Sequence, residues 1–139
     1  MLQTLSVTSR NRCELIDITD SVQEVIARSS IQDGSCLLFV PHTTAAVTIN
    51  EGADPSVRED LLAQLSVLAP PNAAYRHREG NAGAHIKATL VGASEQVIIR
   101  KGKLVLGTWQ AIFFCEFDGP RQRKVNVLVH ADRASASGS

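Results

Sequence analysis

Three histidines stand in polar, turn-like stretches of this chain: Pro41-His42-Thr43-Thr44, Tyr75-Arg76-His77-Arg78-Glu79 and Gly83-Ala84-His85-Ile86-Lys87. An imidazole presented from a loop can move protons near neutral pH or bind a metal through one ring nitrogen. The first stretch joins two apolar runs, and the other two flank Gly80-Asn81-Ala82-Gly83, so a fold that brings the regions together makes one pocket of them. His77 and His85 lack the i, i+4 spacing of a helical zinc motif. With His42 as a third ligand, three neutral imidazoles would leave the fourth position of Zn²⁺ open to water or substrate, as catalytic zinc requires. His130 lies in register with a strand face and reads as structural.

Other residues qualify for chemistry beside them. Glu116 sits between Cys115 and Phe117 near the end of an apolar strand. A carboxylate there needs a cation, a metal or several donors to offset its desolvation, which makes it a candidate acid, base or ligand; the plainer reading pairs it with Arg121 or Arg123. Gln110, on the same strand face, is either a satisfied amide or a contact to a ligand. Thr43, Thr44, Thr108 and Arg121 offer hydroxyls and a guanidinium suited to the oxygens of a bound anion.

The elements that must position these groups follow from periodicity. Leu2 to Ser9 and Glu14 to Ile18 alternate apolar and polar residues around Arg10-Asn11-Arg12, the pattern of a β-hairpin. Asp20-Ser21-Val22-Gln23 reads as the capped start of a short helix that carries Val22, Val25 and Ile26 and ends near Ser29. Cys36-Leu37-Leu38-Phe39-Val40 is apolar on both faces and predicts a central strand covered on both sides. Pro41 interrupts it, and Ala45 to Ile49 resumes as a strand, leaving His42, Thr43 and Thr44 at the break. Asp54-Pro55 opens a helix whose stripe is Val57, Leu61, Leu65 and Leu68, stopped by Pro70-Pro71. Residues 72–83 have no period and suit a functional loop. His85 to Val91 predicts a short helix ended by Gly92. Gln96 to Ile99, Leu104 to Leu106, Trp109 to Phe117 and Lys124 to His130 read as an antiparallel meander, with Trp109, Ala111, Phe113, Cys115 and Phe117 on one face of its third strand.

Composition bounds the function. The 139 residues fit one domain over 1–132 followed by a small, flexible tail at 133–139, and a 44% hydrophobic, 4% aromatic composition predicts an aliphatic core. Fourteen basic residues balance fourteen acidic ones, so no broad positive field draws the chain to nucleic acid. No apolar run approaches the roughly twenty residues that cross a bilayer, and Met1-Leu2-Gln3-Thr4 does not begin a signal peptide, so neither a membrane nor export is expected. Cys13, Cys36 and Cys115 are odd in number and widely spaced, which suits reduced thiols in a cytoplasmic protein.

Four segments together resemble one known family: Pro41-His42-Thr43-Thr44-Ala45-Ala46-Val47-Thr48-Ile49-Asn50-Glu51, Ala53-Asp54-Pro55, Asn81-Ala82-Gly83-Ala84-His85-Ile86-Lys87 and Leu106-Gly107-Thr108-Trp109-Gln110. They resemble the YjbQ-like proteins, described as secondary thiamine-phosphate synthases, from about Leu5 to Val129. The resemblance implies an α+β domain on an antiparallel β-sandwich-like sheet with two or three short helices, assembled as a homotrimer with sites close to subunit boundaries. It places the family's polar positions on His42, Thr43, Thr44, Asn50, Asp54, His77, Asn81, His85, Thr108, Gln110, Glu116 and Arg121. It also implies a weak joining of a hydroxymethylpyrimidine diphosphate to a thiazole phosphate with release of pyrophosphate. That reaction favours Mg²⁺ on diphosphate oxygens, whereas a histidine-dominated site suits Zn²⁺. The mismatch marks the synthase activity as a side reaction of a site built for another phosphorylated or anionic metabolite. A non-catalytic trimeric module that binds metal or anion is the alternative.

Overall fold

The computed structural model describes residues 1–77 and 79–133. Eleven elements follow in order: β1 (Leu2–Thr8), β2 (Glu14–Asp17), α1 (Thr19–Ser29), β3 (Gly34–Phe39), β4 (Ala45–Glu51), α2 (Pro55–Leu68), α3 (Ala82–Val91), β5 (Ser94–Arg100), β6 (Lys103–Leu104), β7 (Gln110–Glu116) and β8 (Gln122–Ala131). Among the described residues they form an α+β fold of two antiparallel sheets and three helices. One sheet has the order β1-β8-β3-β5-β6, the other β2-β7-β4.

The alternating strands have two faces because successive side chains point to opposite sides of a sheet. Cys36, Leu38, Val97, Ile99, Val125, Val127 and Val129 point inward from the larger sheet and meet Val47, Ile112 and Phe114 of the smaller one. Helix α1 adds Val22, Val25 and Ile26 to this core, all fully buried. The opposite face of the smaller sheet, carrying Ala46, Phe113 and Cys115, makes a second core with Ala84 and Ala88 of α3 and with Leu61, Leu62 and Leu65 of α2. Strand β7 is thus covered on both faces, with the division of its residues that the alternation predicts.

Several connections differ from the sequence reading. β1 and β2 form no hairpin: β1 pairs with β8, whereas β2 pairs with β7 in the other sheet. The meander reduces to the β5–β6 pair, because β8 runs between β1 and β3 and β7 lies in the second sheet. Alternation reports which faces are buried and is silent on which strand sits alongside. Helix α1 begins at Thr19 rather than behind an Asp20 cap; Asp17 accepts from the Thr19 amide and hydroxyl at 2.9 and 2.6 Å. Strand β3 is central, as predicted, but covered on one side only, with Phe39 45% exposed. Helix α2 starts behind the Asp54 cap as expected, yet buries none of its residues and leaves Leu68 exposed. The expected tail lies outside the described residues beyond Arg133. Among the described residues no helix is long and apolar enough to cross a membrane.

Candidate functional site

The break between β3 and β4 is also a change of sheet. The chain leaves the larger sheet at Phe39 and enters the smaller at Ala45, so Pro41 to Thr44 cross one end of the sandwich. Pro41 has no amide to donate and suits such a crossing. Helix α3, with Gly83 packed against the Ala69 and Pro70 carbonyls, brings His85 to the same end. His42 and His85 line one cavity of about 380 Å³ with Thr43, Thr89, Ala88 and Gly92. His77 joins from the preceding loop, its ring edge-on to that of His85 with centroids 5.1 Å apart. His42 and His85 therefore share one cavity, while His77 touches His85 without lining it.

Each histidine is held differently. His42 Nε2 accepts the Lys124 amide at 2.9 Å, which leaves Nδ1 as the protonated nitrogen of the neutral ring. Partial burial, and after it the nearby Arg123 charge, hold its pKa below the usual histidine value. His77 Nε2 lies 2.8 Å from Asn81 Oδ1 and 3.7 Å from Glu79, so its proton sits on the nitrogen facing the amide oxygen. Asn81 in turn donates to Asp118 at 2.9 Å, and Asp118 accepts from Arg121 at 2.9 Å. A polar chain from His77 to Arg121 thereby ties the 72–81 loop to the turn after β7. His85 lies at α3's first turns, half-buried, between the cavity and His77.

Glu116 and its surroundings form the buried support of this end. Glu116 is completely buried and Arg123 nearly so. Arg123 Nε donates to both carboxylate oxygens, at 2.9 and 3.1 Å, and Nη2 adds a further bond. Ser9 Oγ donates to the carboxylate at 2.6 Å and the Asp118 amide at 3.1 Å. Burial alone would raise the Glu116 pKa; the donors from Arg123, Ser9 and Asp118 more than offset it and hold the carboxyl below its usual value. With this set its oxygens are satisfied, and the plainer sequence reading, pairing with Arg123, is the one observed. The same Arg123 donates through Nη2 to the Thr44 hydroxyl at 2.8 Å and the Thr44 carbonyl at 3.3 Å. Thr44 is buried in this role and does not line the cavity, whereas Thr43 does. Residues 123 and 124 of β8 therefore grip the His42 turn from both sides.

Gln110 and Thr108 are placed elsewhere. In the β4–β7 register Ala45 faces Glu116 while Glu51 faces Gln110, so Gln110 stands at the other end of the strand pair. Seven residues of strand separate those ends by about 20 Å. Gln110 Oε1 accepts the Gly107 amide at 2.7 Å, and Thr108 lies with exposed Trp109 in a shallow depression beside Asp17 and Asp20. Asn50 and Asp54 belong to this far end too, Asp54 as the cap of α2. Within one chain they do not share the histidine cavity. His130 lies exposed on the outer face of β8. Among the described residues no group of three or more histidines, cysteines, aspartates or glutamates is arranged to hold a metal ion.

Ser9, Asp118 and Thr89 were not singled out by sequence reasoning, and Arg123 entered it only as one of two candidate partners of Glu116. A signal existed for Arg123: Val125, Val127 and Val129 point inward, so the same parity carries Arg123 inward, toward the equally inward Glu116 of β7.

The fold and the histidine cavity define a class of small two-sheet α+β proteins, and comparison with known chains names it. The family model described as UPF0047 protein YjbQ-like matches residues 3–132, and the chain belongs to that family. It is 50% identical over 133 residues to a UPF0047 protein of Methanocaldococcus jannaschii, covering 96% of each chain. It is 49% identical to the UPF0047 protein YugU of Bacillus subtilis, over 93% of this chain and 98% of that one. A solved YjbQ/UPF0047 structure from Clostridium acetobutylicum aligns with a TM-score of 0.90 at 50% identity, covering 92% of this chain and 99% of that chain. A hypothetical protein from Aeropyrum pernix aligns at 0.91 and 36% identity, over 95% and 99%.

Proposed function

We propose that the chain is a small enzyme acting on a phosphorylated or anionic metabolite at the cavity shared by His42 and His85. The observation that supports this reading is the pairing, across one cavity, of a histidine whose pKa is held low and whose Nε2 accepts a backbone amide with a second histidine on a helix, Thr43 and Thr89 lining the same cavity. His42 and His85 are the proton-transfer groups, and Thr43 binds the anion. Arg121 lies near enough to act on the His42 charge and offers the guanidinium. Glu116 acts through Arg123 on the His42 turn rather than on substrate.

Zinc would draw on His42 through Nδ1 and on His85, with His77 as a third ligand only if its Nε2 gave up Asn81. The placement fits proton transfer better than that three-imidazole centre. Thiamine-phosphate-synthase-type transfer belongs to this proposal as a side activity, for which Mg²⁺ would arrive on the diphosphate.

Assembly as a homotrimer completes the reading. The outer face of the larger sheet leaves Leu2 67%, Phe39 45%, Ile98 55% and Leu128 39% exposed on one side, an apolar area that a second copy would cover. A neighbouring copy would also offer a place for Thr108 and Gln110, which one chain holds far from its own histidines. A cytoplasmic setting belongs to the same proposal.

The test is turnover of phosphorylated metabolites by wild type and His85→Ala, with elemental analysis of both and light scattering on the same samples. Turnover in the wild type and its loss in a folded His85→Ala of unchanged mass supports the enzyme. Stoichiometric zinc lost with His77→Ala/His85→Ala would establish the metal centre. Full activity in His85→Ala overturns the catalytic assignment, and ligand binding without turnover identifies the binding module. A monomer at micromolar concentration refutes the trimer.

A further inference from the structure

Lys87 has no part in the histidine cavity, yet it is only 4% exposed. It follows His85 on α3 and faces away, toward the end of α2 and the start of β2. Its Nζ lies 3.9 Å from Cys13 Sγ and 3.5 Å from Ser66 Oγ, both long for a buried amine. Among the described residues no carboxylate lies within ion-pair distance of it. An amine taken out of water without a strong partner, and aimed at a thiol, is an arrangement that packing alone does not call for.

The three thiols differ in access. Cys36 and Cys115 are buried, and burial pushes their pKa values up to about 11 and about 12, which keeps them protonated and unreactive. Cys13 is partly exposed, at the entry to β2, and its Sγ also lies 3.7 Å from the Phe117 carbonyl oxygen. Of the three thiols it is the one that is not fully buried.

We propose that Cys13 and Lys87 are a modification site, joined on oxidation by a hydroperoxide into a covalent sulfur–nitrogen bridge. Hydrogen peroxide oxidises the thiol by two electrons to a sulfenic acid and is reduced to water. The Lys87 amine, after giving its ammonium proton to solvent, attacks the Cys13 sulfur through the Nζ lone pair, the S–O bond breaks, and the departing hydroxide takes one of the remaining amine protons to leave as a second water. One peroxide is consumed, two waters form, and the chain loses two hydrogens. Condensation of a sulfenic acid with a nitrogen nucleophile is established chemistry for backbone amides, and a thiol reverses it. The lysine's four-carbon stem has the torsional freedom to close the remaining gap. The bridge would fasten β2 to α3, the helix that carries His85.

The experiment treats purified, tag-free protein with hydrogen peroxide and reads intact mass, a peptide map and dimedone trapping. In the wild type we expect a species lighter by two hydrogens, with the Cys13 and Lys87 peptides joined and restored by dithiothreitol. Cys13→Ser gives no such species. Lys87→Arg keeps a cation but not the primary amine, and accumulates a Cys13 sulfenic acid that dimedone traps. Equal trapping of Cys13 in wild type and Lys87→Arg with no joined peptide overturns the proposal. So does a two-hydrogen loss that maps to a disulfide, or a Cys13 that peroxide leaves unchanged. Should Lys87→Arg fail to fold, the wild-type peptide map and Cys13→Ser still decide.

Discussion

Replacing Arg123 by methionine removes the cation from a carboxylate that is completely buried and keeps the volume apolar. Breaking a buried pair from one side costs about 3–5 kcal/mol, because the remaining charge loses its partner but not its desolvation. Arg123 also donates to Thr44, so the loss belongs at the upper end. For a domain of this size each kcal/mol moves the melting temperature by about 3–5 °C, so a loss of about 4–5 kcal/mol gives a fall of about 12–25 °C at fixed protein concentration. The pH dependence should reverse as well. In the wild type the Glu116 pKa is depressed, so its contribution is present above the unfolded value of about 4.3 and lost as pH falls through the folded value. In Arg123→Met burial dominates and raises the pKa, so the variant gains relative stability as pH falls from 7 toward 4. Urea denaturation at pH 7 and pH 4, with Glu116→Gln as reference, measures both effects. The double variant Glu116→Gln/Arg123→Met should be at least about 2 kcal/mol more stable than Arg123→Met alone. A single-variant loss under about 1 kcal/mol, or a double variant no better than the sum of the singles, would refute the view that the pair is one energetic unit.

His42 should titrate below 6.5 by NMR, with its Nδ1 protonated in the neutral ring; because its folded pKa is depressed, its contribution to stability is lost as pH falls through that value, and a midpoint above 6.5 contradicts the placement. Gly34→Ala should destabilise by about 1–3 kcal/mol in urea denaturation, since a Cβ there overlaps the His130 carbonyl where β3 and β8 pair. Leu128→Glu, on the outer apolar face, should shift the light-scattering mass from trimer toward monomer while the far-ultraviolet spectrum is unchanged. Asn81→Ala should free both His77 and Asp118, leaving His85→Ala-sensitive turnover weakened but not abolished, as steady-state kinetics would show.

The caps and stops of α2, the glycine after α3, and the two-faced alternation of β7 depend on neighbouring residues, and each was legible as a pattern. The pairing of β1 with β8 joins residues as far apart as Leu2 and Leu128, and no local pattern distinguishes it from a hairpin with β2. The candidate site divides the same way. His42, His77 and His85 were visible because imidazoles in polar stretches stand out. Glu116 was visible as a charge in an apolar strand, with ion pairing to Arg121 or Arg123 as one of its readings, but the choice between pairing and catalysis was not, since Arg123 lies across a turn on another sheet.

The sequence by itself determined the α+β class, the division of β7's side chains between two faces, the turn that presents His42 and the family to which these motifs belong, because those rest on short-range periodicity and on motifs of contiguous residues. Only the tertiary structure decided that His42 and His85 share a cavity, that Gln110 and Thr108 stand at the opposite end of the β4–β7 pair from it, and that Glu116 is spent on Arg123. Strand order and register set those distances, and both are chosen by the packing of whole faces against one another, which no single segment encodes.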